Sequence, residues 1–185
     1  MHSLNFSFCL LCAAAFTLVS CSPKLTPVKT EQAKIISNVT IGEGLDVAVP
    51  GQWASSSVNK LTNQYFIKSQ DSSLVSISVN PITKYPFYSE GMADSTFVNE
   101  LFLWESGHFA EQGFLINIVN KDLKRGFILW DITKNEKTVK MLYGKKRMEA
   151  IAVNFLESKT YSPSAQNELL MEVFTNFSAK GLPPK

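Results

Sequence analysis

The sequence predicts an α+β domain in which an antiparallel sheet of six to seven strands is flanked by helices. Strand-like segments alternate between apolar and polar residues, most clearly at residues 74–81, where Val75, Ile77 and Val79 share one face. Two longer segments carry the apolar stripe of an amphipathic helix. The turns between consecutive strands are too short for a parallel crossover, so neighbouring strands are expected to run antiparallel.

Three strands are predicted before the first helix. The alternation of Leu45, Val47 and Val49 marks the first, and the Pro-Gly-Gln-Trp segment that follows ends it with a turn. The predicted strands cover residues 45–49, 65–68 and 74–81, with turns at residues 50–53 and 69–73.

A central helix is predicted from Asp94 or Ser95, either of which can cap it, to about residue 112, before Gly113. Its apolar stripe consists of Phe97, Val98, Leu101, Phe102, Trp104, His108 and Phe109. Because His108 lies on this stripe, we expect it to be a buried or half-buried structural residue.

Four further strands and a closing helix complete the domain. The strands are predicted at residues 114–120, 126–133, 138–143 and 148–155, the last of them reached through a turn at Gly144. In that strand Ala150 and Ala152 share one face, where small side chains let a helix approach. Ser162 and Pro163 are typical of a helix start. The apolar stripe of this helix is Leu169, Leu170, Val173, Phe174 and Phe177.

This order of elements resembles the Mog1/PsbP-like family over residues 38–178. The resemblance rests on the early strand that ends in Pro-Gly-Gln-Trp at residues 50–53, on the strand at 74–81, and on the two helices around a meander of strands. It implies an α-β-α sandwich around an antiparallel sheet. The family includes a photosystem extrinsic subunit, a nuclear GTPase-binding protein and bacterial lipoproteins, and its named members act mainly by binding other proteins.

The N-terminus resembles the export signal of a bacterial lipoprotein. An apolar run at residues 6–19 leads into Leu-Val-Ser-Cys at residues 18–21, which is similar to a lipobox, although no Lys or Arg precedes the run. We therefore expect residues 1–20 to be removed and Cys21 to carry the lipid that anchors the protein in the cell envelope, facing the periplasm. Residues 21–37 are then a flexible tether and residues 38–180 a single domain. The alternative is a buried N-terminal helix of a cytosolic protein.

Composition limits the chemistry of the mature chain. All three cysteines, Cys9, Cys12 and Cys21, lie in the export segment, and only one of the two histidines, His108, lies beyond it. A disulfide, a zinc or copper site and a bound cofactor are therefore not expected. The net charge of +2 does not favour nucleic acid. The basic cluster at residues 145–147 is interpreted as a solvated turn, with a polyanion site as the alternative.

No catalytic residue is assigned, and Asp131 is the candidate pocket residue. It is predicted mid-strand, on the face of Phe127 and Leu129, where a carboxylate can line a pocket and work with a second carboxylate in a hydrolase. The alternatives are that it faces water at a sheet edge or pairs with a neighbouring lysine.

The candidate partner-binding residues are Tyr85, Phe87 and Tyr88, in the loop before the central helix. Aromatic residues are enriched in protein interfaces. The alternative is that they fold back as a lid over the sheet or the central helix. The leading hypothesis is a lipid-anchored, non-catalytic module that binds or assembles an envelope protein. A hydrolase and a carrier of a small apolar ligand remain as alternatives. A polar pocket around Asp131 favours the enzyme, and a flat aromatic patch favours the module.

Overall fold

The computed structural model describes residues 35–41 and 45–177. The strands in this part are β1 (Ile36–Ile41), β2 (Leu45–Pro50), β3 (Trp53–Asn59), β4 (Gln64–Ser69), β5 (Leu74–Pro81), β6 (Leu115–Asp122), β7 (Phe127–Lys134), β8 (Lys137–Lys146) and β9 (Glu149–Glu157). The helices are α1 (Asp94–Glu111) and α2 (Pro163–Asn176), with a short 3-10 helix at Ile82–Lys84. Cys21 and the predicted export signal lie outside the described residues.

Seven of these strands form one antiparallel sheet in the order β3-β4-β5-β9-β8-β7-β6, and β1 and β2 form a second, two-stranded sheet. The pairing of β5 with β9, in which Ser76 lies opposite Asn154, joins the two halves of the chain. The predicted antiparallel α+β architecture is confirmed.

The two helices pack on opposite faces of the large sheet. α2 and the small sheet cover one face, where the core includes Val47, Val153 and Phe174. α1 covers β6, β7 and β8 on the other face, where the core includes Phe97 and Trp130. The alternation along β7 divides its side chains between these cores, with Ile128 on the α1 side and Leu129 on the α2 side.

Two strands, β1 and β3, are absent from the sequence prediction. β1 begins at Ile36, inside the range assigned to the tether. β3 begins two residues after Gly51, which has a φ of +100°, so the predicted turn leads into a new strand at Trp53. Every residue of β3 after Trp53 is exposed, because β3 lies at the edge of the sheet. The sequence of β3 therefore shows no alternation of apolar and polar residues from which a strand could be predicted.

The predicted turn at Gly144 is wrong. Gly144 lies inside β8, and the turn to β9 falls at residues 147–148, where Arg147 has a φ of +55°. A Cβ atom at position 144 would lie 2.5 Å from the Phe174 ring and 2.5 Å from the Gly126 carbonyl oxygen. Glycine is required there because α2 packs directly on the β8 backbone.

The two helix starts differ in their capping. The Ser162 hydroxyl accepts a hydrogen bond from the backbone N–H of Ala165 at 3.3 Å, which confirms the predicted cap of α2. α1 begins at Asp94 after Ala93, and no side chain caps it. Neither helix in the described part of the chain is long and apolar enough to cross a membrane.

Candidate functional site

The loop residues Tyr85, Phe87 and Tyr88 fold back onto α1. Their ring centroids lie 5.7, 5.5 and 6.3 Å from that of Phe97, which is fully buried. The 3-10 helix positions the loop, since the N–H of Ile82 donates to the Met148 carbonyl at 2.9 Å. The arrangement expected as the alternative, a lid over the central helix, is therefore the one present.

This lid is still part of the surface. Tyr85, Phe87 and Tyr88 are half-buried, and Trp104 of α1 extends the cluster while keeping 37% of its own surface exposed. The Trp104 ring lies 5.8 Å from Tyr85 and 6.3 Å from Phe87. We name these four residues, Tyr85, Phe87, Tyr88 and Trp104, the aromatic platform.

His108 lies beside the platform and is exposed, so the prediction of a buried or half-buried histidine is wrong. Its ring centroid is 4.9 Å from that of Trp104, one helical turn earlier. Both side chains lie at the edge of the apolar stripe of α1 and not at its centre.

Glu105 occupies the packed side of α1 under the platform. Burial raises the pKa of its carboxyl group, and the nearby His108 partly opposes that effect. Burial also raises the pKa of Tyr143, a buried residue of β8, well above its usual range, and the Glu105 charge raises it further. The pKa of Tyr85 rises to about 12 through burial and then through Glu105. A carboxyl and two phenols thus form a polar cluster in an otherwise apolar layer.

Sequence reasoning missed Glu105, although a signal for it was present. Val98, Leu101, Phe102 and Phe109 lie on the packed side of α1, and a helical spacing of three or four residues places position 105 among them. The Glu105 carboxylate thus belongs to the packed side of the helix, although it is not apolar.

Asp131 forms an ion pair with Lys140 on the adjacent strand. The Lys140 Nζ lies 3.1 Å from one carboxylate oxygen and 3.2 Å from the other, and the two residues are opposite in the β7–β8 register. This is the expected alternative of a neighbouring lysine. Asp131 lies on the same face of β7 as Leu129, toward α2. Tyr85, Phe87 and Tyr88 lie on the opposite, α1 face of the sheet, so the structure does not bring the two sets of candidate residues together.

Among residues 35–41 and 45–177, no group of three or more His, Cys, Asp and Glu side chains is arranged to hold a metal ion.

Comparison with solved structures shows a similarity of fold. The chain resembles the solution structure of cyanobacterial PsbP (CyanoP) from Synechocystis sp. PCC 6803, with a TM-score of 0.51 and 10% sequence identity. The match covers 84% of this chain and 98% of that one. The chain has a PsbP-like fold. At this identity the similarity establishes the PsbP-like fold alone. No protein-family model and no curated protein matches the sequence.

Proposed function

We propose that this protein is a lipid-anchored component of the bacterial cell envelope whose PsbP-like domain binds another envelope protein without catalysing a reaction. The aromatic platform is the observation that carries this proposal. It places four aromatic side chains on one patch of surface, and Trp104 is the most exposed of the four.

The chemistry of the platform suits a protein partner. Trp and Tyr dominate the binding energy of many protein interfaces because each combines a large apolar area with a polar atom. The contacts among Tyr85, Phe87 and Trp104, and the contact of Tyr88 with Phe97 beneath them, hold the side chains in place before a partner arrives. Binding would then require little further loss of side-chain entropy.

The lipid anchor rests on Cys21 and the lipobox-like residues before it. A radiolabelled fatty acid fed to cells is expected to label the wild-type protein and to leave a Cys21→Ser variant unlabelled. Equal labelling of both proteins would overturn the anchor without affecting the binding proposal.

Photo-crosslinking in cells tests the binding surface. A photo-reactive phenylalanine derivative is incorporated in place of Trp104 and, in a control protein, in place of Leu61, which is 98% exposed in the β3–β4 turn. We expect one envelope protein to be crosslinked from position 104 and not from position 61.

The purified partner then provides the decisive measurement. We expect Trp104→Ala to weaken its affinity by at least about tenfold, the effect of 1.4 kcal/mol, and Leu61→Ala to leave it unchanged. Trp104 is preferable to Tyr85 or Phe87 for this test, because those rings also pack on buried Phe97. Equal affinity of the Trp104→Ala protein and the wild type would refute the platform as the binding surface.

A further inference from the structure

A second surface feature lies at the other end of the sheet from α1. It is a cleft of about 510 Å³ between β3, β4, the start of β5 and the end of β9. Its lining residues are Ser56, Ser57, Phe66, Lys68, Ser72, Leu74, Glu157 and Lys159. α1 packs on β6, β7 and β8, so this cleft and the aromatic platform occupy different parts of the domain.

Two irregularities in strand pairing shape the cleft. The β3–β4 register shifts between Ser55 and Ser57, and both Ser56 and Ser57 line the cleft, whereas a regular strand would direct consecutive side chains to opposite faces. The β5–β9 register shifts at Leu74, which lies opposite Glu157. Bulges of this kind redirect side chains and are common beside binding sites.

The two walls of the cleft are joined by Asp71. Its carboxylate accepts hydrogen bonds from the Thr160 hydroxyl, after β9, and from the Ser69 hydroxyl, at the end of β4. It also accepts from the backbone N–H of Ser73 at 3.0 Å. These bonds hold the pKa of Asp71 far below its usual range. Each wall residue next to this network, Ser72 on one side and Lys159 on the other, therefore has a fixed backbone position.

The cleft contains charged groups that have no partner among the described residues. Lys68, Glu157 and Lys159 are exposed and make neither an ion pair nor a side-chain hydrogen bond in the part of the chain that the structure describes. The hydroxyl groups of Ser56, Ser57 and Ser72 add donors and acceptors. Phe66 and Leu74 supply an apolar surface between these groups.

We propose that this cleft binds a saccharide that carries an anionic group. The two ammonium groups of Lys68 and Lys159 outnumber the Glu157 carboxylate and attract a carboxylate or phosphate of the ligand. Glu157 and the serine hydroxyl groups exchange hydrogen bonds with sugar hydroxyls. Phe66 and Leu74 contact the apolar C–H face of the sugar ring. The cleft volume is in the range of small-molecule sites.

Calorimetric titration of the full chain with four probes tests the ligand class. Glucuronate and glucose-6-phosphate carry both an anion and a sugar ring, whereas glucose lacks the anion and inorganic phosphate lacks the ring. We expect at least one of the two anionic sugars to bind about tenfold more tightly than both glucose and phosphate. Binding of glucose or phosphate as tight as that of the anionic sugars, or no binding of either anionic sugar, would overturn the proposal.

A pair of matched double variants tests the location. Lys68→Gln with Lys159→Gln removes both cleft charges, and Lys124→Gln with Lys137→Gln removes two exposed charges elsewhere. We expect the first variant to lose at least about tenfold in affinity for the anionic sugar and the second to bind it like the wild type. Equal loss in both variants would show an effect of net charge alone and would refute this site. The four lysines are exposed, so neither variant is expected to unfold.

Discussion

The Lys140 ammonium group bridges both carboxylate oxygens of Asp131, at 3.1 and 3.2 Å, from the neighbouring strand of the sheet. Only 7% of the Lys140 side chain and 15% of the Asp131 side chain are exposed. At this depth each charge depends on the other for compensation, because little water reaches either group. The pair therefore fixes the β7–β8 register on the α2 face, where an isolated charge would be strongly unfavourable.

Removing one member of this pair should destabilise the domain. Asp131→Asn leaves the Lys140 charge buried without a counter-charge, and we expect the free energy of unfolding to fall by about 3 kcal/mol. Urea denaturation followed by circular dichroism provides the measurement. The double variant Asp131→Leu with Lys140→Met, which buries no charge, should recover most of the loss. An Asp131→Asn protein as stable as the wild type would contradict a structural role for the pair.

Gly144 provides a test of how closely α2 approaches the sheet. We expect Gly144→Ala to lower the free energy of unfolding by about 3 kcal/mol, because the added methyl group overlaps the Phe174 ring and the Gly126 carbonyl oxygen. Gly107→Ala in α1 is the matched control. A Cβ atom there meets nothing within 4 Å, and alanine favours the helix by up to about 1 kcal/mol. The same denaturation experiment should thus show a lower free energy of unfolding for Gly144→Ala and a higher one for Gly107→Ala.

The sequence predicts the buried strands and both helices because their side chains repeat with the period of the element. β5 alternates between apolar residues of the α2-side core and polar residues, β9 alternates between the two cores, and α2 carries a continuous stripe from Leu169 to Phe174. β3 is missed because an edge strand can be stabilised by backbone pairing alone, with six of its seven residues exposed. Gly144 is misplaced because the sequence does not distinguish a glycine needed for a turn from one needed for close packing.

Glu105 is expected to make stability depend on pH. Its pKa is higher in the folded protein than its ordinary value of 4.5, because burial disfavours the charged form. The folded state therefore binds the proton more tightly than the unfolded state. The ionised carboxylate destabilises the fold fully at a pH above the folded pKa, and this destabilisation disappears below pH 4.5. We expect Glu105→Gln to raise the melting temperature at neutral pH, and the gain to vanish as the pH falls below that value.

Glu100→Gln, on the same helix, is the control for this titration. It removes a glutamate from the same helix, so the difference between the two variants isolates the effect of Glu105. If the difference in melting temperature between Glu105→Gln and the wild type were the same at every pH, burial of the Glu105 charge would not be the cause of the stabilisation.

Phe97 and Trp104 should differ in their effects on stability. Phe97→Ala empties a fully buried position that contacts three rings of the aromatic platform, and we expect a loss of about 4 kcal/mol. Trp104→Ala removes a partly exposed ring and should lower stability by about 1.5 kcal/mol. Chemical denaturation of both variants checks this order. A larger loss for Trp104→Ala would mean that the platform supports the core rather than resting on it.

The candidate sites are less predictable from sequence than the fold. The aromatic loop is recognisable by its composition, yet its contact with Trp104 depends on where α1 crosses the sheet. The cleft that we propose to bind a saccharide combines Ser57, Lys68 and Lys159, which come from separate segments of the chain and form no sequence motif. Such sites arise from strand order and bulges, which the pattern of a single sequence does not determine.

The three tryptophans of the chain fall in three different environments. Trp53 lies in the core beside α2, where its Nε1 donates to the Pro50 carbonyl at 2.8 Å, and Trp130 lies in the core beside α1. Trp104 lies at the surface. The domain therefore contains a built-in set of fluorophores, and variants that keep one tryptophan at a time would report separately on the melting of each layer and on binding of the proposed partner.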